Sequence, residues 1–182
     1  GSIMIAVEDR VSEVVAQRIS EAAGLTVCQT IGLKGNSYLR NKANALNQTA
    51  RGFPILLLTD QDRHADCPAS IIGDWLASQA EPNLLFRVAV MEVESWVLAD
   101  AEPLGRFLGV PLNKINRAPD LLADPKAHLV ELARRSRKRR IREDIVPTPT
   151  ARSTRKVGAG YNSLIPEFVL GFWRPAEARR HT

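Results

Sequence analysis

Cysteine is scarce, with only Cys28 and Cys67 in 182 residues. Neither has the paired spacing of a zinc site, and nothing suggests a disulfide framework. A reducing cytoplasm is the expected compartment. No apolar run approaches the roughly 20 residues that a membrane span needs. No charged-then-apolar leader marks a signal peptide, and no membrane partner is expected. The leading Gly1-Ser2 reads as a cloning remnant and is left out of the fold argument. The chain shows no Walker-type phosphate loop, no legible Ser/His/Asp arrangement and no internal repeat. Any nucleotide hydrolysis would have to come from a partner.

What is present is an ordinary globular composition, 45% hydrophobic and 25% charged, at a length that supports one main core and a smaller appendage. The net charge of +5 hides an asymmetry. Residues 1–125 hold 11 Lys/Arg against 15 Asp/Glu, while residues 126–182 hold 14 against 5. An acidic half joined to a basic half suits a cation site beside a polyanion-binding surface. A solubilising basic tail is the plainer alternative.

Ile3 to Val7 is a short apolar run of the kind buried on both faces of a sheet. Ser12 precedes a helical spacing over Glu13–Ala23, and Gly24 closes it at C′. Leu25–Ile31 reads as a second strand, followed by the Gly32–Asn36 loop and a polar helix over Ser37–Ala50. Ile55–Thr59 is the clearest strand, with a helix predicted over Pro68–Gln79 and a fourth strand over Leu84–Val90. Met91–Asp100 is expected to be helical. Such alternation predicts an α/β fold: a mainly parallel sheet with helices on both faces, spanning residues 1–101. Residues 102–182 form a basic helical extension, with Pro103, Pro111, Pro119 and Pro125 interrupting short helices. A longer helix runs from Pro125 into the basic stretch, and a last one covers Ser163–Trp173. Trp75, Trp96 and Trp173 occupy apolar helical positions and belong to the core.

Ligands in open α/β sheets sit outside the carboxyl ends of the strands. Three predicted strands end in acids: Glu8, then Asp60 and Asp62, then Glu92 and Glu94. Crowded carboxylates repel unless a cation neutralises them, and Mg²⁺, hard and oxygen-seeking, is the natural candidate. With a period of two, Asp60 and Asp62 project to the same side of an extended segment. His64 and Cys67 follow closely, but an exposed loop position accounts for the histidine better than a Mg²⁺ ligand does. His128 and His181 stand in no arrangement that asks for a role.

These residues carry a family resemblance. Glu8 after the first strand, with Asp60-Gln61-Asp62 after a central one, resembles the Toprim domain of topoisomerases, primases and OLD-type nucleases. The likeness extends to a small stand-alone bacterial Toprim-like family, often encoded beside ABC-type ATPases in defence loci. Its matching stretches are Lys34-Gly35-Asn36, Leu57–Asp62, Val90–Asp100 and Asp124-Pro125-Lys126, with weaker matches at Val146-Pro147 and Val157–Asn162. The resemblance implies a Toprim-like core and Mg²⁺- or Mn²⁺-dependent hydrolysis of nucleic acid, DNA before RNA. It also implies an ATPase partner and a role in anti-phage defence. Glu8 would act as general acid or base or complete the metal shell. Asp60 and Asp62 would hold the ion, with Glu92 or Glu94 as a further ligand. A strand-passing enzyme would need a catalytic tyrosine, and only Tyr38 and Tyr161 occur, so hydrolysis is the expected reaction.

Charge building on a phosphate needs cations. Lys126 and Lys156, within family-like motifs, are the candidates for that catalytic role, and Lys34 is a third cation for nucleic acid. Arg134, Arg135, Arg137, Lys138, Arg139, Arg140 and Arg142 would contact nucleic-acid backbone without reading sequence; an acidic protein partner is the rival for that surface. Two other function classes stay open. One is a non-catalytic regulatory subunit, binding DNA or a partner, with a vestigial metal site. The other is a phospho-receiver domain, for which Glu8, Asp9 and Asp60 would be the acidic pair and acceptor. The receiver leaves Asp62, Glu92 and Glu94 without a task.

Overall fold

A computed structural model describes residues 1–61, 67–148 and 155–182. The chain forms two compact units, Gly1–Val93 and Glu94–Thr182. The division falls eight residues earlier than the rhythm of the sequence suggests, because the helix after the fourth strand packs with the second unit's helices.

The first unit is built on strands β1 (Ser2–Val7), β2 (Thr26–Gly32), β3 (Ile55–Asp60) and β4 (Leu84–Ala89). They lie in the order β2-β1-β3-β4, and every pairing is parallel. Ser2, set aside as a remnant, is instead the first residue of β1 and pairs with Thr26. The two central strands explain the unbroken apolar runs. Ile55 to Leu58 are all buried, so both faces of β3 are covered. Each such side chain contributes roughly 1.5–3 kcal/mol of burial free energy. β4, at an edge, alternates buried and exposed instead.

Helices α1 (Arg10–Ala22), α2 (Asn36–Thr49) and α3 (Pro68–Trp75) link the strands. Ala6, Ile55, Leu57, Leu84 and Phe86 share one core with Leu39, Ala43 and Leu46 of α2 and Ile71 and Trp75 of α3. By the strand period of two, Ile3, Ile5 and Val7 face the opposite side, and α1 packs on β1 with Val11, Val14 and Val15 buried. Asp9, not Ser12, caps α1: its carboxylate accepts from the Ser12 N–H at 2.9 Å, and Ser12 is buried within the helix. α3 stops at Trp75, four residues short of expectation.

Among its described residues the second unit holds helices and loops and no strand. It comprises α4 (Glu94–Ala99), α5 (Ala101–Leu108), α6 (Pro125–Arg134), α7 (Arg139–Ile145), α8 (Tyr161–Gly171) and α9 (Pro175–Ala178). Met91 to Val93, expected to be helical, form a loop before α4. Pro103 lies inside the first turn of α5, where its missing N–H costs nothing. The expected helix through the basic stretch is two helices broken at residues 135–138, where the buried Ser136 hydroxyl donates to the Leu108 carbonyl. Among the described residues no helix is long and apolar enough to cross a membrane.

Candidate functional site

The strand order reverses between β1 and β3: β1 is followed by a neighbour on one side, β3 by a neighbour on the other. In open α/β sheets such a reversal, outside the carboxyl ends of the strands, is the habitual ligand position. Glu8 immediately follows β1 and Asp60 ends β3, so both acids stand at the reversal.

The geometry joins them. Glu8 Oε1 accepts from the Asp60 backbone N–H at 3.0 Å, from Asn36 Nδ2 at 3.2 Å and from the Thr59 hydroxyl. Asn36 Nδ2 also reaches Thr59 Oγ1 at 3.1 Å. One carboxylate oxygen therefore takes three donors from two segments, which fixes the rotamer. Glu8 Oε2 has no partner among the described residues. Asp60 Oδ1 accepts from the Val93 N–H at 2.8 Å, tying the end of β3 to the loop after β4.

The surrounding loops are fastened to the same edge. Leu33 N–H donates to the Val7 carbonyl and Gly35 N–H to the Glu8 carbonyl, both at 3.0 Å; Gln61 N–H donates to the Ala89 carbonyl at 2.9 Å. Two non-glycine residues, Leu33 (φ 60°) and Met91 (φ 62°), hold left-handed backbone in loops that follow β2 and β4. Such strain, of order 1–3 kcal/mol each, gathers at functional edges. Gly32 is required beside them: at φ 110°, a Cβ there would lie 2.1 Å from the Val7 carbonyl oxygen.

Asn36 and Thr59 are the site residues that sequence reasoning did not single out. Asn36 stood only as part of a loop motif and Thr59 only as the end of a strand. The available signal was a hydroxyl in an otherwise apolar strand, directly before an acid.

Asp62 and His64 lie outside the described residues. Glu92 is half-buried in the Val90–Val93 loop, its N–H bonded to the Val90 carbonyl at 2.9 Å. Lys34 is exposed, with its ammonium 5.1 Å from the centre of the Tyr38 ring. Lys156 is exposed in the segment before α8.

Glu94 belongs to the second unit and is fully buried there, at 0% exposure. Its Oε1 accepts from the Tyr161 hydroxyl at 2.8 Å and lies 3.4 Å from Lys126 Nζ. Three residues of family-like motifs thus meet in one buried charge pair, and Lys126 is engaged by a protein carboxylate. Asp100, from the same Val90–Asp100 stretch, accepts from Arg174 through its backbone N–H (2.8 Å), Nε (3.1 Å) and Nη2 (2.8 Å). Those hydrogen bonds hold the Arg174 guanidinium above its ordinary pKa. Trp173 Nε1 donates to the Trp96 carbonyl at 3.0 Å.

The basic run is largely partnered by the protein itself. Arg134 and Arg135 reach Glu131, Arg139 reaches Glu143, and Arg140 reaches Asp144 and Glu167. Arg142 donates to the Ser136 carbonyl. Lys138 Nζ donates to the carbonyls of Arg106 (2.8 Å) and Phe107 (2.9 Å), satisfying the end of α5.

Two carboxylates with hard oxygens at the switch point fit a Mg²⁺-type ion by donor chemistry. Among the described residues, no group of three His, Cys, Asp or Glu side chains converges to hold one. No protein-family model, no curated protein and no solved structure matches the chain. Fold and site together define an α/β protein with an acidic switch-point site, fused to a helical unit.

Proposed function

We propose that the chain is a divalent-metal-dependent phosphodiesterase of Toprim type, acting on nucleic acid. What carries this reading is the pairing of Glu8 with Asp60 across the reversal of strand order, with Oε1 locked by three donors. Asp60 and Asp62 would hold the ion, with Glu8 Oε2 directed to the shell or to the water. A bound Mg²⁺ would polarise the phosphorus–oxygen bond and lower the pKa of a coordinated water. Thr59 and Asn36 orient Glu8, and the Val93 N–H orients Asp60, so the acidic pair is set before substrate arrives. The resemblance adds an ATPase partner and a defence setting, and the lack of a phosphate loop in this chain agrees with a partner that supplies nucleotide hydrolysis.

A second reading, a regulatory subunit with a non-catalytic metal site, draws on a specific observation. The Glu94–Lys126 pair and most of the basic run are engaged internally, and the same residues were expected to serve substrate.

The test is incubation of plasmid and single-stranded DNA with the protein in Mg²⁺ or Mn²⁺, beside an Asp60→Ala/Asp62→Ala variant. Cutting by the parent alone is the expected result. Equal cutting by both proteins would refute the enzymatic reading. Metal binding that the variant loses, with no cutting by either protein even beside a partner ATPase, would select the regulatory one.

A further inference from the structure

Within the basic run, one residue is treated differently from its neighbours. Arg137 is exposed, and its guanidinium has no partner among the described residues. It lines a cavity of about 430 Å³ within the second unit, together with Glu102, Arg106, Val110, Pro111 and Leu112.

The turn that carries Arg137 is held in place by several independent bonds. Arg137 N–H donates to the Gly109 carbonyl at 3.1 Å. The adjoining Ser136 hydroxyl is bonded to the Leu108 carbonyl, and Lys138 Nζ caps the end of α5 at two carbonyls. Gly109 permits the approach: at φ 70°, a Cβ there would come within 2.9 Å of Lys138 Cγ. The turn between α6 and α7 is therefore docked on the loop after α5, and the position of Arg137 is built rather than frayed.

We propose that this cavity binds a nucleotide, its phosphate on the Arg137 guanidinium and its base against the Val110–Leu112 wall. The guanidinium fork matches phosphate oxygens in a bidentate way. The volume falls in the range of small-ligand sites, roughly 300–1,000 Å³. The apolar wall offers a surface for a planar ring, and Leu112 is an exposed apolar residue, 43% accessible. The lining carries Arg106 and Arg137 against Glu102, and Arg106 is paired with Glu102 at 2.9 Å, so the uncompensated charge is that of Arg137. The nucleotide could be free or one unit of a strand, and the recognition chemistry is the same. The proposal stands independently of hydrolysis at Glu8.

The full chain would be titrated in chelator, so that no metal-dependent step contributes, with deoxyadenosine monophosphate and with a short fluorescent oligo(dT). Variants Arg137→Ala, Arg137→Lys and Arg51→Ala are compared, after circular dichroism shows each one folded. Arg51 is the control because it is exposed yet paired with Glu81 at 2.9 Å, away from the basic run. The expected result is a loss of about tenfold or more in Arg137→Ala, as for a charged hydrogen bond. Arg137→Lys should be intermediate and Arg51→Ala close to the parent. Binding of the mononucleotide identifies a free-nucleotide site; binding of the oligonucleotide alone identifies a strand contact. No binding of either probe would overturn the proposal, as would an Arg137→Ala loss no larger than that of Arg51→Ala.

Discussion

Replacing Thr59 by valine tests the lock on Glu8. The side chain is fully buried at 0% exposure, and valine has nearly the same shape, so packing is preserved. What goes is the hydroxyl that donates to Glu8 Oε1 and accepts from Asn36 Nδ2 at 3.1 Å. A hydrogen bond to a charged group is worth roughly 1.5–3 kcal/mol. Two other donors remain on Oε1, and Glu8 is only half-buried, so the low end applies, about 1.5 kcal/mol. With a urea slope of roughly 1–3 kcal/mol/M, the midpoint should fall by about 0.5–1.5 M in circular dichroism. If Glu8 takes part in hydrolysis, the same variant should lower kcat about tenfold at saturating Mg²⁺ with KM little changed. An unchanged urea midpoint would show that the hydroxyl contributes nothing to the lock. Glu8 would then not be a side chain that Thr59 holds ready for an ion or a water.

Gly32→Ala should destabilise the chain by at least about 3 kcal/mol, because left-handed strain is added to a 2.1 Å approach of Cβ to the Val7 carbonyl. Soluble yield and urea midpoint report it, and a near-neutral result would mean the β1–β2 edge can open. Tyr161→Phe removes a 2.8 Å bond to the buried Glu94 and should cost about 2 kcal/mol. An undiminished midpoint would show that the phenol is dispensable. His128 is held below its ordinary pKa of 6.5, first by burial and then by Arg135. Protonation therefore favours the unfolded chain, so stability should fall as pH drops through about 6.5 toward the folded pKa, and His128→Gln should flatten that slope. Urea midpoints measured between about pH 5 and 8 check it.

How much of this was legible depends on how local each signal is. The apolar runs of β1 and β3 announced strands buried on both faces, since such runs have no solvent side to supply. The acidic ends of those strands were equally plain, and a parallel sheet must place strand ends along one edge. The helix boundaries were less legible where capping chemistry competed: Asp9 and Ser12 are both good caps, and only the observed bond from Ser12 N–H to Asp9 separates them. The break in the basic helix was invisible for another reason. Ser136 is an ordinary helix surface residue until its hydroxyl finds the Leu108 carbonyl, 28 residues earlier.

The same distinction governs the acids after β4. Glu92 and Glu94 were expected just past the fourth strand, on a helix over Met91–Asp100. Instead Met91 turns left-handed, Glu92 stays in the loop, and Glu94 opens α4. Lys126 and Tyr161, which meet Glu94, stand 32 and 67 residues further along, and no local pattern reveals such a pairing. A carboxylate buried at 0% exposure beside a lysine has its charge answered within the fold, and losing one member of such a pair costs about 3–5 kcal/mol. Packing thus accounts for three motifs that a catalytic reading also claimed. The weight of the metal hypothesis therefore rests on β1 and β3, where Glu8 takes a backbone N–H and two neutral side-chain donors and Asp60 the Val93 N–H, with no cation engaged at Glu8 among the described residues.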